Sequence, residues 1–137
     1  MPALRNYHII ISHSWDYNSQ YETIKGWLDV TPYFLWTDYS VPITRPLSIK
    51  GTNDLKQKIR ERISLCSCVI ILSGMYVAYS DWIDFEIDTA VAMSKPIIGV
   101  KPWGQERIPV KVQNNADIIV GWNSSSVIEA IRANALQ

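Results

Sequence analysis

The sequence of 137 residues has no excess of charge of either sign and no long apolar run. Thirteen Lys and Arg balance thirteen Asp and Glu, so the basic surplus typical of non-specific nucleic-acid binding is missing. No apolar run approaches the roughly 20 residues that span a bilayer, and residues 1–5 lack the apolar centre of a secretory signal. We therefore expect a cytoplasmic protein that binds neither nucleic acid nor a membrane.

Cysteine and histidine are also scarce, with two of each. Cys66 and Cys68 stand two positions apart where a helix gives way to a strand, and alternating strand positions face opposite ways. We expect both to be reduced core residues, because that placement disfavours a disulfide between them. No set of these side chains has the spacing of a zinc site, which argues against a metal centre.

Hydrophobic residues make up 47% of the chain, enough for one core, and we expect a single domain over residues 1–137. Short apolar runs alternate with amphipathic segments along it. The runs predict strands at residues 7–12, 33–37, 68–73, 96–101 and 117–121. The first, third and fifth have the Ile/Val centres of strands buried on both faces, whereas the second resembles an edge strand. The segments between them predict helices at about 19–28, 53–65, 81–94 and 125–136, and at most a short helix within 102–116.

This alternation predicts an α/β fold of three layers, in which a five-stranded parallel sheet carries helices on both faces. The flavodoxin-like order 2-1-3-4-5 is the commonest arrangement for five such strands, and its ligands bind at the carboxyl ends of the strands, beside the switch point between strands 1 and 3. Hydroxyls, carboxylates and indoles follow the predicted strands at that edge. Several of the chain's six Trp and seven Tyr stand in these segments, which suggests a cleft that stacks a flat ligand.

Two familiar chemistries of this architecture do not fit those segments. A phosphorelay receiver has acidic residues after strand 1 and an Asp at the end of strand 3, where this chain has Ser12-His13 and Ser73-Gly74. A flavodoxin or dinucleotide site uses a Gly- or Thr-rich phosphate loop after strand 1. Residues 12–17 (SHSWDY) contain no glycine.

The pentapeptide Trp82-Ile83-Asp84-Phe85-Glu86 carries the most specific chemical signal. Its indole and its last carboxylate are four residues apart, so they lie one turn apart on one helix face. We predict that this helix begins at Ser80 or Asp81, which places Glu86 near its N-terminus. A carboxylate beside an aromatic ring suits stabilisation of positive charge on a sugar. The alternatives are a solvated helix carboxylate for Glu86 and core packing for Trp82.

Taken in order, these pieces resemble the Toll/interleukin-1 receptor (TIR) domain family. The matching segments are IIISHSWDY, FLWTDYSVP and SCVIILSGMYVAYSDWIDFEIDTAVAMSKPIIGV. Together they extend the resemblance over essentially the whole chain. It is greatest to the bacterial TIR-like group that includes the TIR-like subunit of Thoeris anti-phage systems.

The resemblance implies an enzyme of anti-phage defence that cleaves NAD⁺ between nicotinamide and ribose, giving linear or cyclic ADP-ribose. NAD⁺ would be the substrate, and no cofactor is implied. Glu86 maps onto the catalytic Glu of the family. The residues that the resemblance places around the substrate are Ser12, His13, Trp15, Asp38, Tyr39 and Trp82. The alternative for Asp38 is a turn cap. It also implies self-association through TIR-type contacts and a separate effector that senses the product.

Two other functions stay open at this point. Many TIR domains are non-catalytic assembly modules that join like domains through the segment after strand 2. A nucleoside deoxyribosyltransferase-like enzyme also uses a Glu on this type of sheet, and it would turn over deoxynucleosides rather than NAD⁺.

Overall fold

A computed structural model describes residues 5–12, 19–41, 53–73, 76–101 and 108–136, with the backbone alone for residues 76–80. His13 and Trp15, predicted to contact the substrate, lie outside these ranges. Strands and helices alternate along the described chain. They are β1 Asn6–Ile11, α1 Ser19–Val30, β2 Leu35–Asp38, α2 Asn53–Leu65, β3 Cys68–Leu72, α3 Tyr76–Ala92, β4 Ile97–Val100, α4 Val110–Asn115, β5 Ile118–Val120 and α5 Ser124–Asn134.

The five strands form one sheet in the order β2-β1-β3-β4-β5, and every neighbouring pair is parallel. This confirms the predicted α/β fold and its flavodoxin-like strand order. Helix α1 packs against α5, while α3 packs against both α2 and α4. The helices thus form a layer on each face of the sheet, and β1 and β3 lie side by side at the switch point.

Burial follows the position of each strand in the sheet. Every residue of β3 and β4 is buried, because both strands have neighbours on two sides and helices on both faces. β2 lies at one edge, as predicted. The prediction that the fifth strand is buried on both faces is wrong: Ile118 is 36% exposed, and its two successors are half-buried. β5 has only three residues and one neighbouring strand, so an Ile-Ile-Val run here does not mark the centre of the sheet.

Helix α3 begins earlier than predicted. It starts at Tyr76 rather than at a cap on Ser80 or Asp81, and Glu86 is the eleventh of its 17 residues. The predicted location of Glu86 near a helix N-terminus is therefore wrong, and the helix dipole, which acts over the first turn, does not stabilise its charge. Ser80-Asp81 has the composition of a cap but lies inside the helix.

The predictions of a short helix before β5 and of two buried, unpaired cysteines agree with the structure. α4 is a short helix of six residues, from Val110 to Asn115. The side chain of Asn123 caps α5 by accepting a hydrogen bond from the backbone N–H of Ser126 at 3.1 Å. Cys66 and Cys68 are free and buried, as predicted, and burial raises the pKa of the Cys66 thiol to about 11.

Candidate active site

The strongest candidate for a reactive group is a buried pair formed by Ser12 and Glu86. Ser12 follows the last residue of β1, and its backbone N–H donates to the carbonyl oxygen of Ile70 on β3 at 2.9 Å. Its hydroxyl donates to Oε1 of Glu86 at 2.9 Å. Ser12 is 3% exposed and Glu86 4% exposed. The pair therefore joins the carboxyl end of β1 to the middle of α3, at the edge of the sheet where ligands of this architecture bind.

Burial changes the acidity of this carboxyl group. It raises the pKa of Glu86 from 4.5 to about 7, because the charged form loses its hydration, while the hydrogen bond from Ser12 lowers it. Among the described residues, no charged side chain contributes to this balance. Near neutral pH the group is thus divided between the neutral acid and the carboxylate, and Ser12 favours the carboxylate.

Trp82 lies one turn before Glu86 on α3 and is 2% exposed. Its ring meets Phe85 edge-on, with centroids 6.4 Å apart and planes at 89°. The Arg60 guanidinium of α2 lies over the Phe85 ring, 5.1 Å from its centroid. Of the two aromatic side chains beside Glu86 on α3, Trp82 is thus buried in the core and Phe85 packs partly buried against it.

Asp38 and Tyr39 stand at the end of β2, as predicted, but their contacts are with protein groups. Asp38 accepts a hydrogen bond from the Tyr21 hydroxyl through Oδ2 and one from the backbone N–H of Ser40 through Oδ1, the latter at 2.9 Å. The Tyr39 ring lies 4.8 Å from the His8 ring. The Arg62 guanidinium is 5.6 Å from the centroid of the Tyr39 ring.

Of the seven predicted site residues, the structure places Ser12 and Glu86 in direct contact and Trp82 one turn away. The predicted site does not include Tyr21 or Ser40, whose hydroxyl groups bond to Asp38 and to the Ile11 N–H. Tyr21 lies on the buried face of α1 and is 8% exposed. For Asp38 the sequence also allows a turn cap in place of a substrate contact, and the bond from the Ser40 N–H to Oδ1 is of that kind.

Within the described ranges, no three His, Cys, Asp or Glu side chains are grouped so that they could hold a metal ion. No helix of that same part of the chain has both the length and the apolar character required to cross a membrane. The chemistry open to the described site is that of one buried carboxyl group with a hydroxyl donor.

The chain matches one protein-family model and resembles solved structures in its fold. Residues 10–107 match the family model described as Thoeris protein ThsB, TIR-like domain. Fourteen chains of solved structures match. One is the Clostridium botulinum CMP N-glycosidase BcmB, which is 13% identical and superposes with a TM-score of 0.58 over 91% of this chain and 98% of its own. At that identity the likeness concerns the fold. None of the curated proteins compared with the chain matches it.

Proposed function

The chain belongs to the family of Thoeris ThsB TIR-like domains, and from that premise we propose that it is an enzyme that cleaves the bond between nicotinamide and ribose in NAD⁺, with Glu86 as the catalytic residue. The observation that carries the proposal is the buried hydrogen bond from Ser12 to Glu86 at 2.9 Å. It holds one carboxyl group, away from water, at the ligand-binding edge of the sheet.

A single carboxylate is sufficient for this reaction. Nicotinamide is cationic in NAD⁺ and leaves as a neutral molecule: the C–N bond breaks, its electron pair goes to the ring nitrogen, and no proton is needed. Positive charge then develops on the ribose, as in other glycosidic cleavages. A carboxylate placed beside that charge lowers the barrier by electrostatic stabilisation. Water, or a nucleophile within the same molecule, then adds to the ribosyl cation and gives a linear or a cyclic product.

The surroundings of Glu86 support this role. Low exposure strengthens its interaction with a nearby cation, because the local dielectric constant is lower than in water. The hydroxyl of Ser12 favours the charged form that the reaction uses. Trp82, buried one turn away, would form part of the wall of the pocket and limit access of water to the cation. His13, Trp15, Asp38 and Tyr39 stay proposed as substrate contacts on the resemblance to the TIR family.

A second candidate is cleavage of a pyrimidine nucleotide. The solved protein of similar fold is named as a CMP N-glycosidase, and a neutral base such as cytosine leaves more readily when it receives a proton. A carboxyl group whose pKa is raised to about 7 can supply that proton near neutral pH. The two candidates thus use opposite protonation states of the same residue.

The test is an assay of the purified chain at high concentration with NAD⁺ and, separately, with CMP. Released nicotinamide or cytosine and the partner product are identified by chromatography with mass detection, which also separates a linear from a cyclic product. Glu86→Gln keeps the size of the side chain and is expected to lose roughly 10²–10³-fold or more in rate, as other losses of one electrostatic group do. Glu129→Gln, an exposed position on α5, is the matched control and is expected to retain full activity.

Wild-type rates in Glu86→Gln would refute the catalytic assignment. Cleavage of CMP alone would move the proposal to the second candidate. The absence of cleavage of either substrate, in concentrated protein as well, would favour the non-catalytic assembly module.

A further inference from the structure

Three side chains contributed by α1 and by the end of β2 surround the end of β1 that leads to Ser12. The Tyr21 hydroxyl on α1 donates to Oδ2 of Asp38. Oδ1 of the same carboxylate accepts from the backbone N–H of Ser40 at 2.9 Å. The Ser40 hydroxyl oxygen accepts from the backbone N–H of Ile11 at 2.7 Å. We refer to Tyr21, Asp38 and Ser40 as the β1 bracket.

Beyond the end of β2, the β1 bracket supplies a hydrogen bond to β1 in place of the backbone bonds between the two strands. The backbone pairing of β1 with β2 ends at Ile9 and Asp38, followed by one bond from the Tyr39 N–H to the Ile9 carbonyl oxygen at 2.9 Å. The turn closed by Asp38 follows, through the bond from the Ser40 N–H to Oδ1. The hydroxyl of Ser40 takes the place of the next backbone acceptor, so the N–H of Ile11 is not left without a partner.

Ser12 is therefore held from two sides. On the β3 side its own N–H donates to the Ile70 carbonyl oxygen at 2.9 Å. On the β2 side the preceding residue, Ile11, donates to Ser40. The successive N–H groups of Ile11 and Ser12 thus bond to Ser40, just beyond β2, and to Ile70 on β3. Together these bonds set the position from which the Ser12 hydroxyl reaches Glu86.

We propose that Tyr21, Asp38 and Ser40 are positioning residues, which hold the carboxyl end of β1 so that the Ser12 hydroxyl stays within hydrogen-bond distance of Glu86. The inference deepens the proposed function and rests on it for its catalytic meaning. It gives Asp38 a structural role beside the substrate contact predicted from the sequence, because each of its carboxylate oxygens accepts a bond from a protein group.

The direction of the hydrogen bond from Tyr21 to Asp38 supports this arrangement. Burial and the bond to Asp38 raise the pKa of the Tyr21 hydroxyl, so Tyr21 stays protonated and donates throughout the ordinary pH range. The partner carboxylate lies between α1 and the turn after β2. Loss of the Tyr21 hydroxyl leaves Oδ2 of Asp38 without that donor, which loosens the turn that presents Ser40.

The test measures the pKa of Glu86 in the free protein by NMR of the side-chain carboxyl carbon in glutamate-labelled samples, with Glu86→Gln to assign the signal among the five glutamates. Ser12→Ala sets the scale, because it removes the bond that lowers the pKa of Glu86. Ser40→Ala and Tyr21→Phe are the test variants. Ser64→Ala and Tyr7→Phe are their controls, since the Ser64 hydroxyl donates to the Glu61 carbonyl oxygen at the far end of α2 and the Tyr7 ring, at the start of β1, stacks on Phe34.

We expect the pKa of Glu86 to rise in Ser12→Ala, to rise by a comparable or smaller amount in Ser40→Ala, and by the least in Tyr21→Phe. The control variants are expected to leave it unchanged. A generally weakened fold would lower stability in test and control variants alike and would not move this pKa selectively. If Ser40→Ala fails to fold, Tyr21→Phe carries the comparison.

An unchanged pKa in Ser40→Ala and Tyr21→Phe, beside a raised value in Ser12→Ala, would overturn the inference. An unchanged pKa in Ser12→Ala would overturn it as well, because positioning of Ser12 would then have no effect on Glu86. The readout does not depend on turnover. Selective pKa changes in a chain that cleaves neither NAD⁺ nor CMP would confirm the positioning and refute the proposed function separately.

Discussion

Replacement of Glu86 by Gln is expected to increase the stability of the protein relative to the wild type as the pH rises. The folded protein holds the carboxyl group at a pKa of about 7, whereas the ordinary value is 4.5. Between these values the folded state binds more protons than the unfolded state, so the free energy of unfolding of the wild type falls as the pH rises. Glutamine does not titrate, and its amide oxygen can still accept the hydrogen bond from Ser12.

The size of the effect follows from the interval between the two pKa values. The interval from 4.5 to about 7 corresponds to roughly 3 kcal/mol, at about 1.4 kcal/mol per pH unit. This penalty on the wild type is absent below pH 4.5, grows through the interval and is complete about one unit above pH 7. The difference in unfolding free energy between Glu86→Gln and the wild type should therefore increase by roughly 3 kcal/mol from pH 4 to pH 8.

Urea unfolding followed by tryptophan fluorescence at several pH values measures this difference directly. A hydrogen bond that the new amide fails to make would shift the difference in unfolding free energy by the same amount at every pH. The prediction therefore concerns the change of that difference with pH and not its value at one pH. Glu129→Gln is the control and should run parallel to the wild type. A difference between Glu86→Gln and the wild type that does not change from pH 4 to pH 8 would refute the buried, raised-pKa description of the site.

Three further predictions concern catalysis, packing and thiol chemistry. The kcat/KM for NAD⁺ should rise with pH and level off above an apparent pKa of about 7, because the carboxylate is the active form; a falling profile would contradict the NAD⁺ mechanism. Gly99→Ala should lower the unfolding free energy by roughly 1–3 kcal/mol, since its Cβ would lie 3.1 and 3.2 Å from side chains of α4 and β5. Gly26→Ala inside α1, with open space around it, should instead add about 0.5–1 kcal/mol, and equal effects of the two changes in urea unfolding would contradict this packing. Cys66 and Cys68 should react with a thiol reagent only after unfolding, because both are buried; rapid labelling of the native protein at pH 8 would show that burial to be wrong.

Much of the fold could be predicted because the central strands are simple in composition. The Ile/Val runs of β1, β3 and β4 are buried almost throughout, so composition and position agree. The same reasoning failed for Ile118 on β5, since a short apolar run does not specify how many strands flank it. The start of α3 was missed because Ser80-Asp81 has the local chemistry of a cap, and nothing in the neighbouring sequence distinguishes a cap from the interior of a longer helix.

The site was predictable in part. Ser12 and Glu86 are 74 positions apart. The prediction that both belong to one site therefore needed the order of the strands together with the resemblance to the TIR family. The pKa of Glu86 depends on how completely the folded chain covers it, which no local pattern contains. The bond between Tyr21 and Asp38 was missed because a tyrosine on the apolar face of a helix is predicted as core, while the partner of its hydroxyl depends on how α1 docks beside β2.

The location of the Ser12–Glu86 pair, between the middle of a packed helix and the end of an interior strand, has an evolutionary consequence. Glu86 and Ser12 belong to a packed helix and to the end of an interior strand, so their separation is set by the core of the fold. Insertions and substitutions elsewhere around the ligand-binding edge can accumulate without moving them. Descendants of such a protein can therefore come to bind different ligands while the Glu86 carboxyl group keeps the same position in the fold.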